Sequence, residues 1–329
     1  MTAALVALLG QMALAQAQGG DNSKPNISKD EQSLAQKITS APDAAAKLKA
    51  AGELIKKYPK TALRGQVAQE IADRITDVQD ATQKLALAQE FQTIFNDPAD
   101  EEFVAPVVID AYADANQLDQ AFTKGAEFLS RHPDSLRVLV TLLSIGTEQA
   151  KKQNAKFIDQ SIRYGSQAIT LAEANNKPAS FDDASWQQYK TVTLPSLYQS
   201  VGLLYMMKGA KSEAKAYYTK AAQSAPSDPF NFVMIAALLN EEYQAAAKAY
   251  QAMAAGAAKE AQLKKVEALL DTVIDAYAHA IALSEASAPL AQVRQQYLED
   301  LQNYYKYRHN NSTDGMQQLI DKYKPVPKP

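Results

Sequence analysis

The chain has 329 residues and a net charge of −3 from 34 basic and 37 acidic side chains, with three histidines and no cysteine. So balanced a charge gives no global field for nucleic acid or anionic lipid, and the missing cysteine excludes disulfides, thiol chemistry and a lipid-modified cysteine. Ala, Gln, Lys, Leu and Glu dominate, β-branched runs are scarce and the long segments carry helical apolar spacing, so the fold class is all-α.

At the N-terminus, Thr2 to Leu14 is a short apolar stretch leading into Ala13-Leu14-Ala15 and Ala15-Gln16-Ala17. Both triplets have the small-x-small form that signal peptidase reads. The run is too short to span a bilayer, which takes about 20 apolar residues. No Lys or Arg precedes it, which a start upstream of Met1 would supply; the competing reading is a cytosolic helix of Ala and Leu. The expectation is a signal peptide over 1–17, a flexible mature N-terminus over 18–30, and export to the periplasm or beyond. No integral membrane span is expected after signal removal.

Helices are expected over 31–40, 43–58, 60–76, 80–96, 101–115, 117–131, 134–151 and 154–174. Within them a pattern recurs every 37 residues. Leu48, Leu85 and Phe122 coincide, as do Ala51, Ala88 and Gly125, then Leu54, Phe91 and Phe128. Large apolar residues six apart with a small one between them describe one packed face of a second helix in each unit. Tyr58-Pro59 and His132-Pro133 end two of these helices, because proline cannot continue the backbone ladder. Asn116 marks a turn.

Asn175 to Pro178 closes this series, and 180–183 reads as the entry to a long helix bearing Trp186 and kinked near Pro195. The stretch 195–228 then carries the clearest unit: Tyr198, Val201, Gly202 and Tyr205 on a first helix, Gly209 in the turn, and Ala214, Tyr218, Ala221 and Pro226 on a second. Small Gly202 and Ala214 let the helices approach, and Tyr205 and Tyr218 are expected to fill the wedge and be largely buried. Helices follow over 210–224, 229–253 and 257–284, while 174–194 and 254–270 break the period. Ser287-Ala288-Pro289 opens a segment to about 309, 310–315 is a loop, and a last helix runs to Tyr323. The tail 324–329 is extended and rich in Pro and Lys.

The series at 195–228 resembles the tetratricopeptide repeat family. The resemblance implies an α-solenoid of antiparallel helix pairs over 31–284, closed by capping helices over 285–323. It also implies a binding scaffold whose first helices line a concave groove. Carried onto this chain, the groove positions are Ser196, Gln199, Leu203, Met206 and Met207, joined on the next first helix by Phe230, Val233, Ala237 and Asn240. The family's groove for terminal carboxylates needs Lys and Asn where this chain has Gln199 and Leu203. Gln199, Leu203, Met206, Met207, Phe230 and Val233 are therefore the candidate face for an apolar or amphipathic protein segment. The competing reading is that the 174–194 segment or a neighbouring unit covers them.

No catalytic or metal constellation emerges. His132, His279 and His309 lie far apart without ligand spacing. His132 sits at a helix end, where a cation suits the dipole. Gly209-Ala-Lys-Ser212 ends like a phosphate loop but lacks its earlier glycine and its strand. Asp97, Asp100, Glu101 and Glu102 lack the spacing of a calcium loop. The run Tyr304 to His309 mixes aromatics with bases, as one face of a capping helix does.

The expected function is a non-catalytic scaffold in a bacterial-type cell envelope, without cofactor or metal, that binds a protein or peptide. An accessory role in outer-membrane assembly is the alternative. The ending Tyr58-Pro59-Lys60 is similar to repeat proteins of that kind, although those are usually anchored through a cysteine. A cytosolic adaptor comes third.

Overall fold

The computed structural model describes residues 27–178 and 181–325. The expected signal segment 1–17 and all of the tail beyond Pro325 lie outside these residues. Among the described residues every regular element is helical. The chain divides into two compact units at Ile145/Gly146.

The first unit holds α1 (Lys29–Ser40), α2 (Ala44–Lys57), α3 (Arg64–Thr76), α4 (Ala81–Ile94), α5 (Glu101–Asp114), α6 (Leu118–Leu129) and the start of α7 (Leu136–Lys151). Along α1 to α6 each helix packs on the next, and α2 and α3 also pack on the helix after that. This is the nearest-neighbour arrangement of a helical repeat array.

Local chemistry sets the helix starts. Ser28 and Glu31 form a reciprocal cap, the Glu31 N–H donating to Ser28 Oγ at 3.2 Å and the Ser28 N–H to Glu31 Oε2 at 2.9 Å. Asp43 and Asp80, one repeat apart, accept from the N–H groups of Ala46 and Gln83 at 2.8 and 2.7 Å. Thus α1 begins two residues before the expected 31, and Ile27, assigned to a flexible N-terminus, is buried instead. The start of α3 moves the other way, to Arg64, because turns through Thr61 and Arg64 follow Pro59.

The recurring positions are core. Leu48, Ala51, Leu54, Ala88, Phe91, Phe122 and Phe128 are buried, and Leu85 is partly buried. A Cβ on Gly125 would fall 2.6 Å from Leu142 Cδ1, so the small residue at this slot admits α7. Asn116 adopts φ +57° at the turn before α6, as Gly209 does at +80° before α11.

The second unit contains α8 (Ile158–Glu173), α9 (Asp183–Gln188), α10 (Leu194–Met207), α11 (Lys211–Ser224), α12 (Pro229–Ala252), α13 (Ala257–Ser284), α14 (Ala291–Arg308) and α15 (Met316–Asp321). A π-helical turn over Tyr189–Thr193 joins α9 to α10. Pro195 has no N–H, and its ring would crowd the carbonyl four residues back. The wide turn relieves this: the Leu194 N–H bonds five residues back, to Tyr189.

In the pair α10/α11, Gly202 and Ala214 face the interhelical contact, and a Cβ on Gly202 would sit 3.3 Å from the Tyr218 ring. Tyr218 and Ala221 are fully buried. Tyr205 is only half-buried: it stacks on Tyr217 at 5.5 Å and leaves an edge in solvent. The helix pair expected from the sequence is thus built by these residues, with Tyr217 sharing the wedge. The pair α12/α13 is longer than a repeat helix, and α14 and α15 pack on α13 to close the unit.

Candidate protein-binding face

Steps of three and four residues place Ser196, Gln199, Leu203 and Met207 on one face of α10. Val192 continues that face one turn earlier, and the Ser196 hydroxyl donates back to its carbonyl at 3.2 Å. Among the described residues the exposed large apolar side chains are Val192 (61%), Met207 (41%), Phe230 (39%) and Tyr307 (69%). Two of the four lie on this face, and Phe230 follows it at the start of α12.

The candidate residues divide into three kinds of environment. Met207 is exposed, Phe230 keeps one edge on Tyr218 at 6.1 Å, and Leu203 is half-buried. Gln199 is a structural tie: its amide donates to Asp228 Oδ2 at 2.7 Å and to Asn231 Oδ1 at 2.8 Å. Asp228 in turn caps α12 by accepting from the Phe230 N–H at 3.0 Å. Met206 packs with Tyr205, Met234 and Ile235 around Tyr218 and Leu238.

Val233 corrects the expected groove. It is 6% exposed and belongs to the core shared by α12, α13 and α14. Tyr297 of α14 donates to its carbonyl at 3.0 Å, and Tyr304 donates to Asn240 about two turns further along α12 at 3.0 Å. Helix α14 therefore covers α12 at Val233 and Asn240 and leaves Phe230 open. Local sequence could not show this, because the tyrosines that do it lie 64 residues away.

The 174–194 segment folds on itself. Trp186 stacks on Tyr189 and meets the edge of Phe181, and its indole N–H donates to Asn175 Oδ1 at 2.8 Å. Lys190 donates to the same oxygen at 2.9 Å. Val192 stays exposed beside this cluster, so the start of the α10 face is open.

The opposite side of α10 is anchored to α8. Tyr198 donates to Glu173 at 2.7 Å, Lys220 reaches the same carboxylate at 2.9 Å, and Lys208 pairs with Asp159 at 2.6 Å. Burial alone would raise the Glu173 carboxyl, but the Lys220 ammonium and the Tyr198 hydroxyl bring it below the ordinary range. Burial pushes the Tyr218 hydroxyl up to about 12 and leaves it without a partner. These contacts tie one side of α10 to α8 and do not involve the face of Ser196, Leu203 and Met207.

The histidines are engaged structurally. His132 Nε2 lies 3.1 Å from Glu101 and its ring stacks on Phe128, while His309 Nδ1 lies 2.9 Å from the Tyr305 carbonyl. Among the described residues no three His, Asp or Glu side chains are grouped to hold a metal ion, and no helix is long and apolar enough to cross a membrane.

No family model and no curated protein matches this chain. Among solved structures it is similar to a tetratricopeptide repeat protein from Parabacteroides merdae, with 12% identity, 89% of this chain and 98% of that one covered, and a TM-score of 0.41. It is also similar to pilF of Pseudomonas aeruginosa, with 13% identity, 85% and 99% covered, and a TM-score of 0.37. The helix-pair type rests on the contacts of Gly202, Ala214, Tyr218 and Ala221 in this chain.

Proposed function

We propose that this chain is a non-catalytic scaffold of a bacterial-type cell envelope that holds a protein segment against the open face of α10. The observation that carries the reading is the exposure of Val192, Met207 and Phe230 along and beside a helix whose opposite side is tied to α8. Exposed apolar side chains along one helical face favour a partner, and methionine adapts to varied apolar shapes. The envelope assignment is supported by the apolar run and the two Ala-x-Ala sites before residue 18.

Pull-down from envelope extract tests the reading, comparing the parent with Met207→Ala/Phe230→Ala. The parent should capture a partner that the double variant loses, with both proteins equally resistant to thermal unfolding. Equal capture by the two proteins would show that this face is not the site.

A further inference from the structure

The short helix α15 lies beside an open groove of about 630 Å³ lined by Asp271, Ile274, Tyr305, Arg308, Gln318 and Leu319. Its own apolar anchorage is small: Ile320 is buried, with Met316 and Leu319 only partly so. The fastening comes just after the helix. The Tyr323 ring stacks on His279 of α13 at 4.0 Å and 13°, and its hydroxyl donates to Asp275 at 2.6 Å. The other side of His279 meets Phe232 of α12, also at 4.0 Å. An imidazole thus sits between two aromatic rings, one fixed in the core side of the unit and one on the terminal segment.

We propose that α15 with Lys322 and Tyr323 is a pH-sensitive strap, held on α13 by neutral His279 and loosened from it by acidification. The groups facing His279 are Asp275 on its own helix, Phe232 on α12, and Lys322 and Tyr323 after α15. Lys322 also lies 3.7 Å from Asp275. In the groove beside the strap, Arg308 is engaged with Asp271 at 2.6 Å and His309 is stacked on Tyr305. Burial between the rings lowers the His279 value from its usual 6.5; Asp275 opposes that shift and Lys322 adds to it.

The sign follows. A ring easier to protonate when unfastened contributes stability above about 6.5 and loses it as pH falls through the lower fastened value. Once protonated, the ring is better solvated when Tyr323 leaves.

Hydrogen exchange of the full chain, corrected for intrinsic rates, reads the strap through peptides covering 316–325. Protection should be lost progressively between pH 7.5 and 5.5, because the fastened ring takes up its proton at a lower pH than the released one. His279→Phe keeps a stacking ring without the charge, so protection should persist at both pH values. His309→Gln should respond as the parent does. Unchanged protection in the parent, a parent-like response in His279→Phe, or loss of the response in His309→Gln would each overturn the proposal. If His279→Phe is unprotected at both pH values, an NMR titration of the parent decides: a His279 midpoint at or above 6.5 rejects the strap, and one below supports it.

Discussion

Lys47 of α2 meets Glu70 of α3 at 3.2 Å with both side chains almost fully removed from solvent. The same ammonium donates to the carbonyls of Ile38 and Thr39 at 2.8 and 3.1 Å, closing the C-terminal end of α1. One side chain therefore ties three successive helices. One repeat later Lys84 is also buried and pairs with Asp114 of α5. A buried pair adds little net stability over an apolar replacement, but breaking it leaves an uncompensated charge.

Lys47→Ala should accordingly destabilise the first unit by about 1–3 kcal/mol, less than a wholly unpaired charge would, because Arg74 still donates to Glu70 at 3.2 Å. Urea unfolding followed by circular dichroism measures it. Lys47→Met with Glu70→Leu should cost less than Lys47→Ala alone, which identifies the buried carboxylate, left with Arg74 as its partner, as part of the penalty.

Gly202 lies at a close approach between α10 and α11. An added Cβ would stand 3.3 Å from the Tyr218 ring and 3.4 Å from Tyr217 Cβ, so Gly202→Ala requires a small shift of both tyrosines. Helix propensity favours alanine by about 1 kcal/mol, which offsets that strain. Gly202→Leu has no such room and should lower stability by about 1–3 kcal/mol through overpacking. Denaturation midpoints of the two variants distinguish these outcomes.

Asp110 gives a pH signature in the first unit. Burial, with Asp114 adding, pushes its carboxyl up to about 6, against Arg137 and Lys84, which pull it down. A raised acid binds its proton more tightly in the folded chain, so stability falls as pH rises from about 4 to about 6 and stays reduced above. Asp110→Asn mimics the protonated form. It should raise stability by about 1–2 kcal/mol at pH 7.5, with the gain vanishing near pH 4. Urea midpoints at the two pH values provide the check.

Export has a direct readout. N-terminal sequencing of the native protein should begin at Gln16 or Gln18, after the Ala-x-Ala sites. Protein that retains Met1 and fractionates with cytosol would refute the envelope assignment.

Much of the array was legible because its signals are local. Asp43 and Asp80 announce helix starts one repeat apart, Asn116 and Gly209 supply positive φ at equivalent turns, and the Leu48, Ala51 and Leu54 spacing repeats as core. Each acts within a few residues of itself, so periodicity and turn chemistry carry it. The candidate face was legible only in part. Met207 and Phe230 are open as their helical positions imply, but Gln199 is spent on Asp228 and Asn231, and Val233 is buried.

The sequence by itself determined the helices, the pairing of α10 with α11 through Gly202 and Tyr218, and the partly apolar face of α10. Only the tertiary structure decided which side chains stay accessible and which charges are buried. Tyr297 and Tyr304 cover α12 at Val233 and Asn240, and Lys47 and Lys84 find carboxylates on later helices. A helical period specifies the direction in which a side chain points, whereas burial depends on what arrives there from 20 to 60 or so residues away.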